Sequence, residues 1–252
     1  RNLGVQASTS GDFGTGDHAW SAALGIFGDG VDNPDPLADE SIAVTGRLTA
    51  APLATDRRLL HLGAAASYRD SGDLTVASFS QRIEAHIADR RLLATGPVDA
   101  ARSLTRLGAE FALAHGPLAL QAEYMRASID RAGLPDPVFD GFYVYTSWFA
   151  TGESRAGAYS GGSGKFGRLH PRTPLGDGGA GAWEFAARYS EADLNDAGIS
   201  GGRERNLSLG VNWYPRSNIR FMANYVNVLD VDGGPTPGDE PETYQFRAQV
   251  DF

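Results

Sequence analysis

Apolar and polar residues alternate strictly along much of the chain. In the last eleven residues, "ETYQFRAQVDF", the apolar positions are Tyr244, Phe246, Ala248, Val250 and Phe252, and polar residues lie between them. Similar alternation recurs upstream, at residues 60–69, 106–113, 118–124, 183–190, 207–213 and 219–225. A period of two residues predicts β-strands with two different faces. We count about twelve such segments, each close to the ~10 residues of a tilted strand that crosses a bilayer.

The connections between these segments differ in length. Tight turns are predicted at 69–73, 115–117 and 214–218, and longer links at 89–102, 130–140, 191–203 and 230–241. Short turns on one rim and long links on the other are typical of outer-membrane barrels. Counting strands back from the C-terminus places two further long links, 152–180 and 28–40, on the short-turn rim.

Composition narrows the class of protein. Hydrophobic residues make up 42% of the 252 residues, but no apolar run approaches the roughly 18 residues of a transmembrane helix. The chain has no cysteine, which excludes disulfides, thiolate metal sites and a cysteine nucleophile. Its formal charge of -9 argues against nucleic-acid binding.

Aromatic residues are sorted along the predicted strands. Trp148, Trp183, Trp213 and Phe252 fall near the short-turn rim, whereas the tyrosines fall near the other rim, at Tyr124, Tyr189, Tyr225 and Tyr244. Two aromatic girdles are expected where barrel strands meet the membrane interfaces. A strand ending on an outward Phe252 is also typical of the terminal signal of outer-membrane barrels. A soluble β-sandwich remains a rival interpretation of the alternation.

The polar face carries charged residues at mid-strand. In a barrel it would line a water-filled lumen, with acids at Glu84, Glu110, Glu123, Glu184 and Asp251. The candidate pore-lining and anion-binding residues are Arg47, Arg69, Arg82, Arg106, Arg188, Arg220 and Arg247. Guanidinium groups stay charged and present a planar fork of donors to oxyanions.

The alternative is that these arginines pair with the lumen acids and brace the wall. Arg188 and Glu184, two positions apart on one face, are predicted to form such a pair. Arg220 and Arg247 are the better pore candidates, although Asp251 is placed to neutralise Arg247.

The long 152–180 link is a second candidate site. It is rich in glycine and carries basic residues at Arg155, Lys165, Arg168, His170 and Arg172. On a periplasmic rim it would add positive potential at the pore mouth or contact a protein partner of the cell envelope. A merely solvated loop is the alternative interpretation.

Catalytic and metal-binding patterns are weak. The five histidines are scattered and have no metal-ligand spacing. His61 lies near Ser67 in a strand, but no matching acid or nucleophile elbow accompanies that pair. The acidic stretch 28–40 lacks EF-hand spacing. We therefore predict no enzyme activity, catalytic residue, cofactor or metal.

Three stretches carry a resemblance to a known family. "FDGFYVYTSWFATGESRAGAYSGGSGKFGRLHPRTPL", "GAWEFAARYSEADLND" and "RNLSLGVNWYPRSNIRFMANYVNV" resemble the C-terminal half of the phosphate-selective porin O and P family. The resemblance implies a homotrimeric outer-membrane porin of sixteen strands per subunit. It also implies arginine- and lysine-lined pores that conduct phosphate and related anions.

The chain departs from that family in two ways. About twelve strands are visible, so four strands and a leader are expected before Arg1. Family members that concentrate phosphate have lysines leading to the constriction, whereas Lys165 is the one lysine among 22 basic residues here. We therefore do not expect high phosphate selectivity.

Together these patterns predict a single domain over residues 1–252, an all-β antiparallel transmembrane β-barrel in the bacterial outer membrane. The predicted function is diffusion of small inorganic anions, with phosphate and polyphosphate as the candidates, through a homotrimer surrounded by outer-membrane lipid. Two alternatives stay open. One is a barrel with a structural or anchoring role in a cell-envelope complex and little conductance, and the other is a soluble β protein.

Overall fold

The computed structural model describes residues 2–12, 14, 19–30, 41–70, 76–84 and 89–251. This part of the chain is built from β-strands and one short 3₁₀ helix, Ala156–Ala158. None of its helices has the length and apolarity to cross a membrane.

The strands are β1 (Asn2–Asp12), β2 (Ala19–Gly30), β3 (Ile42–Ala54), β4 (Arg58–Asp70), β5 (Val76–Ala77), β6 (Ser80–Arg82), β7 (Arg91–Ala94), β8 (Val98–Asp99), β9 (Ala101–His115), β10 (Leu118–Arg131), β11 (Val138–Phe149), β12 (Tyr159–Ser160), β13 (Lys165–Phe166), β14 (Ala182–Asp196), β15 (Ile199–Arg216), β16 (Ile219–Asp232) and β17 (Glu242–Val250).

One large sheet dominates the fold. It has eleven strands in the order β1-β2-β3-β4-β9-β10-β11-β14-β15-β16-β17. Each neighbouring pair is antiparallel, which confirms the predicted all-β antiparallel class. The prediction of about twelve strands counted residues around Arg82 as a wall strand, and this was wrong. Residues 76–82 form the short strands β5 and β6 in the connection between β4 and β9, outside the main sheet.

The burial of the two faces of this sheet is inverted relative to that of a water-soluble sheet. Large apolar side chains on one face are exposed, among them Leu107 at 50% and Phe246 at 84%. Polar side chains on the opposite face are buried, including His61 at 4% and Glu184 at 0%. A water-soluble sheet buries its apolar face, so this arrangement fits a wall whose outer side meets lipid.

The links at the short-turn rim follow the prediction in part. The turns 116–117 and 217–218 and the long connection 150–181 lie there, as expected, and a further short turn lies at 55–57. The tight turn predicted at 69–73 was wrong, because β4 runs to Asp70 and the next sheet strand begins at Ala101. Because of that error, the two ends of every strand before residue 71 lie at the rims opposite to those predicted. The 28–40 link therefore follows β2 at the opposite rim, and its residues 31–40 lie outside the described residues.

The opposite rim is less open than the sequence predicted. The connections 132–137 and 233–241 match predicted longer links. The predicted long link at 191–203 was wrong, because β14 and β15 continue to a two-residue turn. That turn is formed by Ala197 and Gly198, with φ of 50° and 81°. Two residues with positive φ are the geometry of a tight hairpin turn.

Aromatic side chains cluster on the exposed face near the short-turn rim. Trp183 and Trp213 stack with ring centroids 5.5 Å apart, and Trp213 stacks on Phe221 at the same distance. Trp148 stacks on Phe185 at 5.9 Å. These positions match one predicted girdle, apart from Phe252, which lies outside the described residues. Toward the other rim, tyrosine pairs such as Tyr225 with Tyr244, at 5.1 Å, occupy the same face.

Two long connections fold back onto the polar face. We call residues 76–84 and 89–100 the first inner link, and residues 150–181 the second inner link. Ile83 and Leu92 of the first pack against Val226, Val228 and Val231 of the sheet. Leu169 of the second packs with Phe149, Ala182 and Tyr214. The apolar clusters of the described chain therefore lie between these links and the inner side of the sheet.

The inverted burial makes a prediction for folding in lipid. Leu209 is 48% exposed on the apolar face in the middle of β15, so Leu209→Arg in the full-length protein should destabilise the fold by about 2–4 kcal/mol. The measurement is guanidinium unfolding of protein refolded into phospholipid vesicles. Gln121→Arg on the polar face of β10 is the control and should cost far less. Equal losses for both variants would mean that the apolar face does not meet lipid.

Candidate functional site

A buried ion pair fixes the second inner link to the sheet. Arg155, at the start of the 3₁₀ helix, donates to both carboxylate oxygens of Glu184 at 2.7 Å and to the Tyr214 hydroxyl at 3.1 Å. Asn212 and Tyr145 also donate to Glu184, at 2.9 and 3.3 Å. Burial alone would lower the pKa of Arg155, but the adjacent Glu184 carboxylate outweighs it and the pKa is raised. The guanidinium is therefore permanently charged and paired with the Glu184 carboxylate.

A second anchor lies on β3. The Arg47 guanidinium donates to the two carboxylate oxygens of Glu110 at 2.7 and 2.6 Å, a bidentate pair. It also donates to the backbone carbonyls of Ser163 and Gly164 at 3.1 and 2.9 Å, at the tip of the link. Gly164 has φ of 59°, and a Cβ there would lie 2.6 Å from the Thr49 hydroxyl. The tip therefore needs glycine to approach the wall this closely.

His61 is part of this anchor. Its Nδ1 lies 2.7 Å from the Tyr159 hydroxyl of the link, and its Nε2 lies 3.3 Å from a Glu110 oxygen. The Ser67 hydroxyl instead bonds Thr45 at 2.8 Å. The Ser–His pair considered from the sequence is therefore not formed, and His61 has a structural role.

Glu84 anchors the first inner link across the sheet. Its carboxylate accepts from Ser208 at 2.8 Å and from Ser190, and it pairs with Arg188 at 3.0 Å. Its backbone carbonyl accepts from Gln245 at 3.0 Å. The predicted pairing of Arg188 with Glu184 was wrong, because the Arg155 guanidinium occupies Glu184. Arg188 also lies over the Tyr143 ring, 4.4 Å from its centroid.

The remaining predicted basic residues separate into several groups. Arg168 pairs with Asp251 at 3.4 Å, so Asp251 serves the link rather than Arg247. Arg69 donates to Ser41, and Arg82 lies in β6 of the first inner link rather than on the wall. Lys165 and Arg172 are exposed on the second inner link. Bracing ion pairs therefore account for Arg47, Arg155, Arg168 and Arg188.

Arg220 has a different environment from these braced arginines. It donates to Asn212 at 3.1 Å and lies over the Tyr214 ring at 5.1 Å. It lines a cavity of about 220 Å³ that Arg188 also lines, and a second of about 250 Å³ that Arg155 and Arg168 line. Within the described ranges no carboxylate pairs with Arg220. This side chain is shared by two cavities on the polar face, in which Glu84 and Asp251 pair with Arg188 and Arg168.

Two further arginines on this face have no carboxylate partner in the described part of the chain, Arg106 on β9 and Arg247 on β17. The register partner of Arg106 is Ser67, and Arg69 is the next residue on the same face of β4, so the two arginines lie close together. Guanidinium groups with unoccupied donors are suited to bind oxyanions. No group of three or more metal-ligating side chains occurs among the residues with described structure.

Sequence reasoning missed the groups that fix the links. Tyr159, Tyr214 and Glu153 were not singled out, although Tyr214 is buried and Glu153 is 3% exposed. Glu153 accepts from the Arg172 backbone at 3.0 Å and from the Thr151 hydroxyl. The sequence around Glu153 gives no signal that this residue is buried, because its burial arises only when the second inner link folds back onto the sheet.

The buried anchor gives a prediction. In the full-length protein, Arg155→Ala leaves the Glu184 carboxylate buried without its counter-charge, at an expected cost of about 3–5 kcal/mol. Arg168→Ala removes a half-exposed pair from the same link and should cost about 1 kcal/mol or less. Guanidinium unfolding in detergent micelles measures both. A similar loss for the two variants would contradict the anchoring role of Arg155.

Comparison with known proteins gives the family. The family model for phosphate-selective porin O and P matches residues 3–252. An uncharacterized protein of Caulobacter vibrioides is 32% identical, covering 92% of this chain and 49% of the relative. Porin O of Pseudomonas aeruginosa is 28% identical, covering 80% of this chain and 51% of that porin. The chain thus spans about half the length of the curated relatives it matches. These matches place it in the bacterial outer membrane, and the chain belongs to the phosphate-selective porin O and P family.

Proposed function

We propose that the whole protein is an anion-passing porin in which the eleven-stranded sheet forms most of the wall of a closed barrel. The exposed apolar face meets lipid, and the polar face with its two inner links encloses a water-filled passage. The main support is Arg220, a guanidinium that lines two cavities of the polar face and has no carboxylate partner within the described residues.

Contacts of the second inner link support a closed wall. A Cβ at Gly162 would lie 3.4 Å from the Ser10 hydroxyl of β1, and Arg168 pairs with Asp251 after β17. The strands β1 and β17 are the first and last of the sheet, ten steps apart, or roughly 48 Å across a flat sheet. The six residues from Gly162 to Arg168 span about 20 Å when fully extended. A sheet curled around the link accounts for both contacts.

The strand number and assembly follow the family. A barrel of sixteen strands would need five beyond the eleven of this sheet. We propose one barrel domain per subunit and three subunits per assembly. The short turns 55–57, 116–117 and 217–218 mark the periplasmic rim, where the second inner link also begins and ends.

Selectivity for small anions follows from the charges of the polar face. Rings of arginine or lysine are the usual device of anion pores. Arg106, Arg220 and Arg247 supply positive charge without neutralising carboxylates in the described chain. By contrast, carboxylates neutralise four arginines of the polar face and its links, Arg47, Arg155, Arg168 and Arg188. A chain with a single lysine fits a general anion passage better than a passage with a strong preference for phosphate.

A plugged barrel with a structural role is the second candidate. The observation that favours it is that both inner links are fixed to the polar face. The second is held by the Arg155–Glu184 ion pair and by hydrogen bonds from Arg47 to the Ser163 and Gly164 carbonyls, and the first is held by the Arg188–Glu84 ion pair. A cell-envelope protein that contacts the second inner link would then meet its exposed residues, such as Lys165, His170 and Arg172. The two candidates differ in ionic current.

Planar-bilayer recording of the full-length trimer under a KCl gradient separates them. The porin proposal expects discrete current steps with an anion-selective reversal potential and partial block by added phosphate. Folded trimers without current steps would favour the structural role.

The selectivity of the passage is expected to depend on Arg220 and Arg247. The double variant Arg220→Glu, Arg247→Glu reverses two unpaired charges on the polar face, so the reversal potential should move toward cations. Arg216→Glu is the matched control, because Arg216 lies at the end of β15 and pairs with Asp177 at the rim. An unchanged reversal potential in the double variant would remove both residues from the passage.

A further inference from the structure

An apolar hollow lies on the polar face toward the rim opposite the short turns. It encloses about 430 Å³, within the range of small-molecule sites. Its inward-facing lining is mostly apolar, from Ala65, Gly108, Met125, Ala127 and Phe139 of the sheet together with Phe79 of the first inner link. Such a surface is unexpected inside a passage for small hydrated ions, because it offers them no hydrogen bonds.

The hollow exists because small residues meet across adjacent strands. Ala65 on β4 is the register partner of Gly108 on β9, and Gly108 is the partner of Met125 on β10. Gly141 of β11 continues this row beside Met125. Met125 is 53% exposed although it points to the inner side. A flexible thioether at an open apolar surface adapts to ligands of varied shape.

The first inner link covers one side of the hollow. The Phe79 ring packs edge-on against Phe139 with centroids 5.5 Å apart. Its backbone is fixed by Thr95, whose hydroxyl accepts from the Phe79 amide at 3.0 Å and whose own amide donates to the Phe79 carbonyl at 2.9 Å. The aromatic wall is therefore held by hydrogen bonds on a link that crosses the face.

One side of the hollow is basic. Arg106 lines it and, in the described chain, has no carboxylate partner. The neighbouring Arg69 adds like charge rather than neutralisation. Arg126 and Asp140 also contribute to the lining, but they occupy strand positions of the opposite face. Apolar walls with one cationic edge complement a molecule that is apolar at one end and anionic at the other.

We propose that this hollow is a binding site for organic monoanions with an aromatic or aliphatic body. The body packs on Met125 and Phe139, and the carboxylate accepts hydrogen bonds from the Arg106 guanidinium. This site is additional to the proposed passage of small inorganic anions, and it would hold amphiphilic acids on their way through that passage.

Equilibrium binding of 2-naphthoate to the full-length protein in lipid nanodiscs tests the site without relying on conduction. Saturable binding beyond that of empty nanodiscs is expected. Gly108→Leu should abolish it, because a Cβ at Gly108 meets its nearest neighbour only at 3.8 Å and the side chain then fills the hollow. Arg106→Gln should weaken binding roughly tenfold or more through loss of a charge-assisted hydrogen bond.

The controls separate this inference from the proposed function. Arg216→Gln removes an arginine charge at the short-turn rim and should leave naphthoate affinity unchanged. Neutral 2-naphthol should bind much more weakly than 2-naphthoate. No saturable binding, or binding insensitive to both Gly108→Leu and Arg106→Gln, would overturn the site even if the channel conducts chloride. Equal affinity for 2-naphthol would overturn the anionic preference.

Discussion

The Glu184 carboxylate has no solvent contact, and its ionised form depends on one guanidinium from another part of the chain. A buried carboxylate without a counter-charge is strongly destabilising. Arg155 therefore has to reach β14, and the second inner link has to lie on the polar face for it to do so. The cavity that Arg155, Arg168 and Arg220 line therefore depends on this ion pair.

Contacts on the polar face also decide which arginines support structure. The inner links bring backbone carbonyls to Arg47 and the Glu84 carboxylate to Arg188, so these two wall arginines are braced. The arginines that remain available differ from the braced ones in their neighbours, not in their residue type. Arg188 and Arg220 line the same cavity, but Glu84 neutralises Arg188 whereas Arg220 contacts an amide and an aromatic ring.

The alternation of residues was sufficient to predict the class of fold, the facing of most strands and the place of the tryptophans. Period-two patterns are local, and a strand such as β16 carries its complete signal within its own residues. The error around Arg82 has the opposite origin, because short strands in a link show the same alternation as wall strands. Only pairing partners distinguish them, and β6 pairs with β7 rather than with the sheet.

The site was predictable only in residue type. Arg47 and Gly164 are 117 residues apart, and Arg188 and Glu84 belong to different parts of the fold. No spacing rule connects such residues, so a nearer acid such as Glu184 is the natural but incorrect choice for Arg188. Among the seven wall arginines for which bracing was the alternative, Arg47 and Arg188 form ion pairs with acids of the polar face or the first inner link. Which arginines do so depends on how the two links fold.

The bond between Arg47 and the Gly164 carbonyl has a consequence for the order of assembly. Contacts between residues so distant in sequence form late, because the intervening chain loses entropy before the contact stabilises it. The strands from β3 to β11 therefore have to pair before the tip of the second inner link can contact Arg47 and Thr49. In the proposed porin, a wall whose strands pair before this tip docks would enclose a wider lumen, and docking of the tip would narrow it.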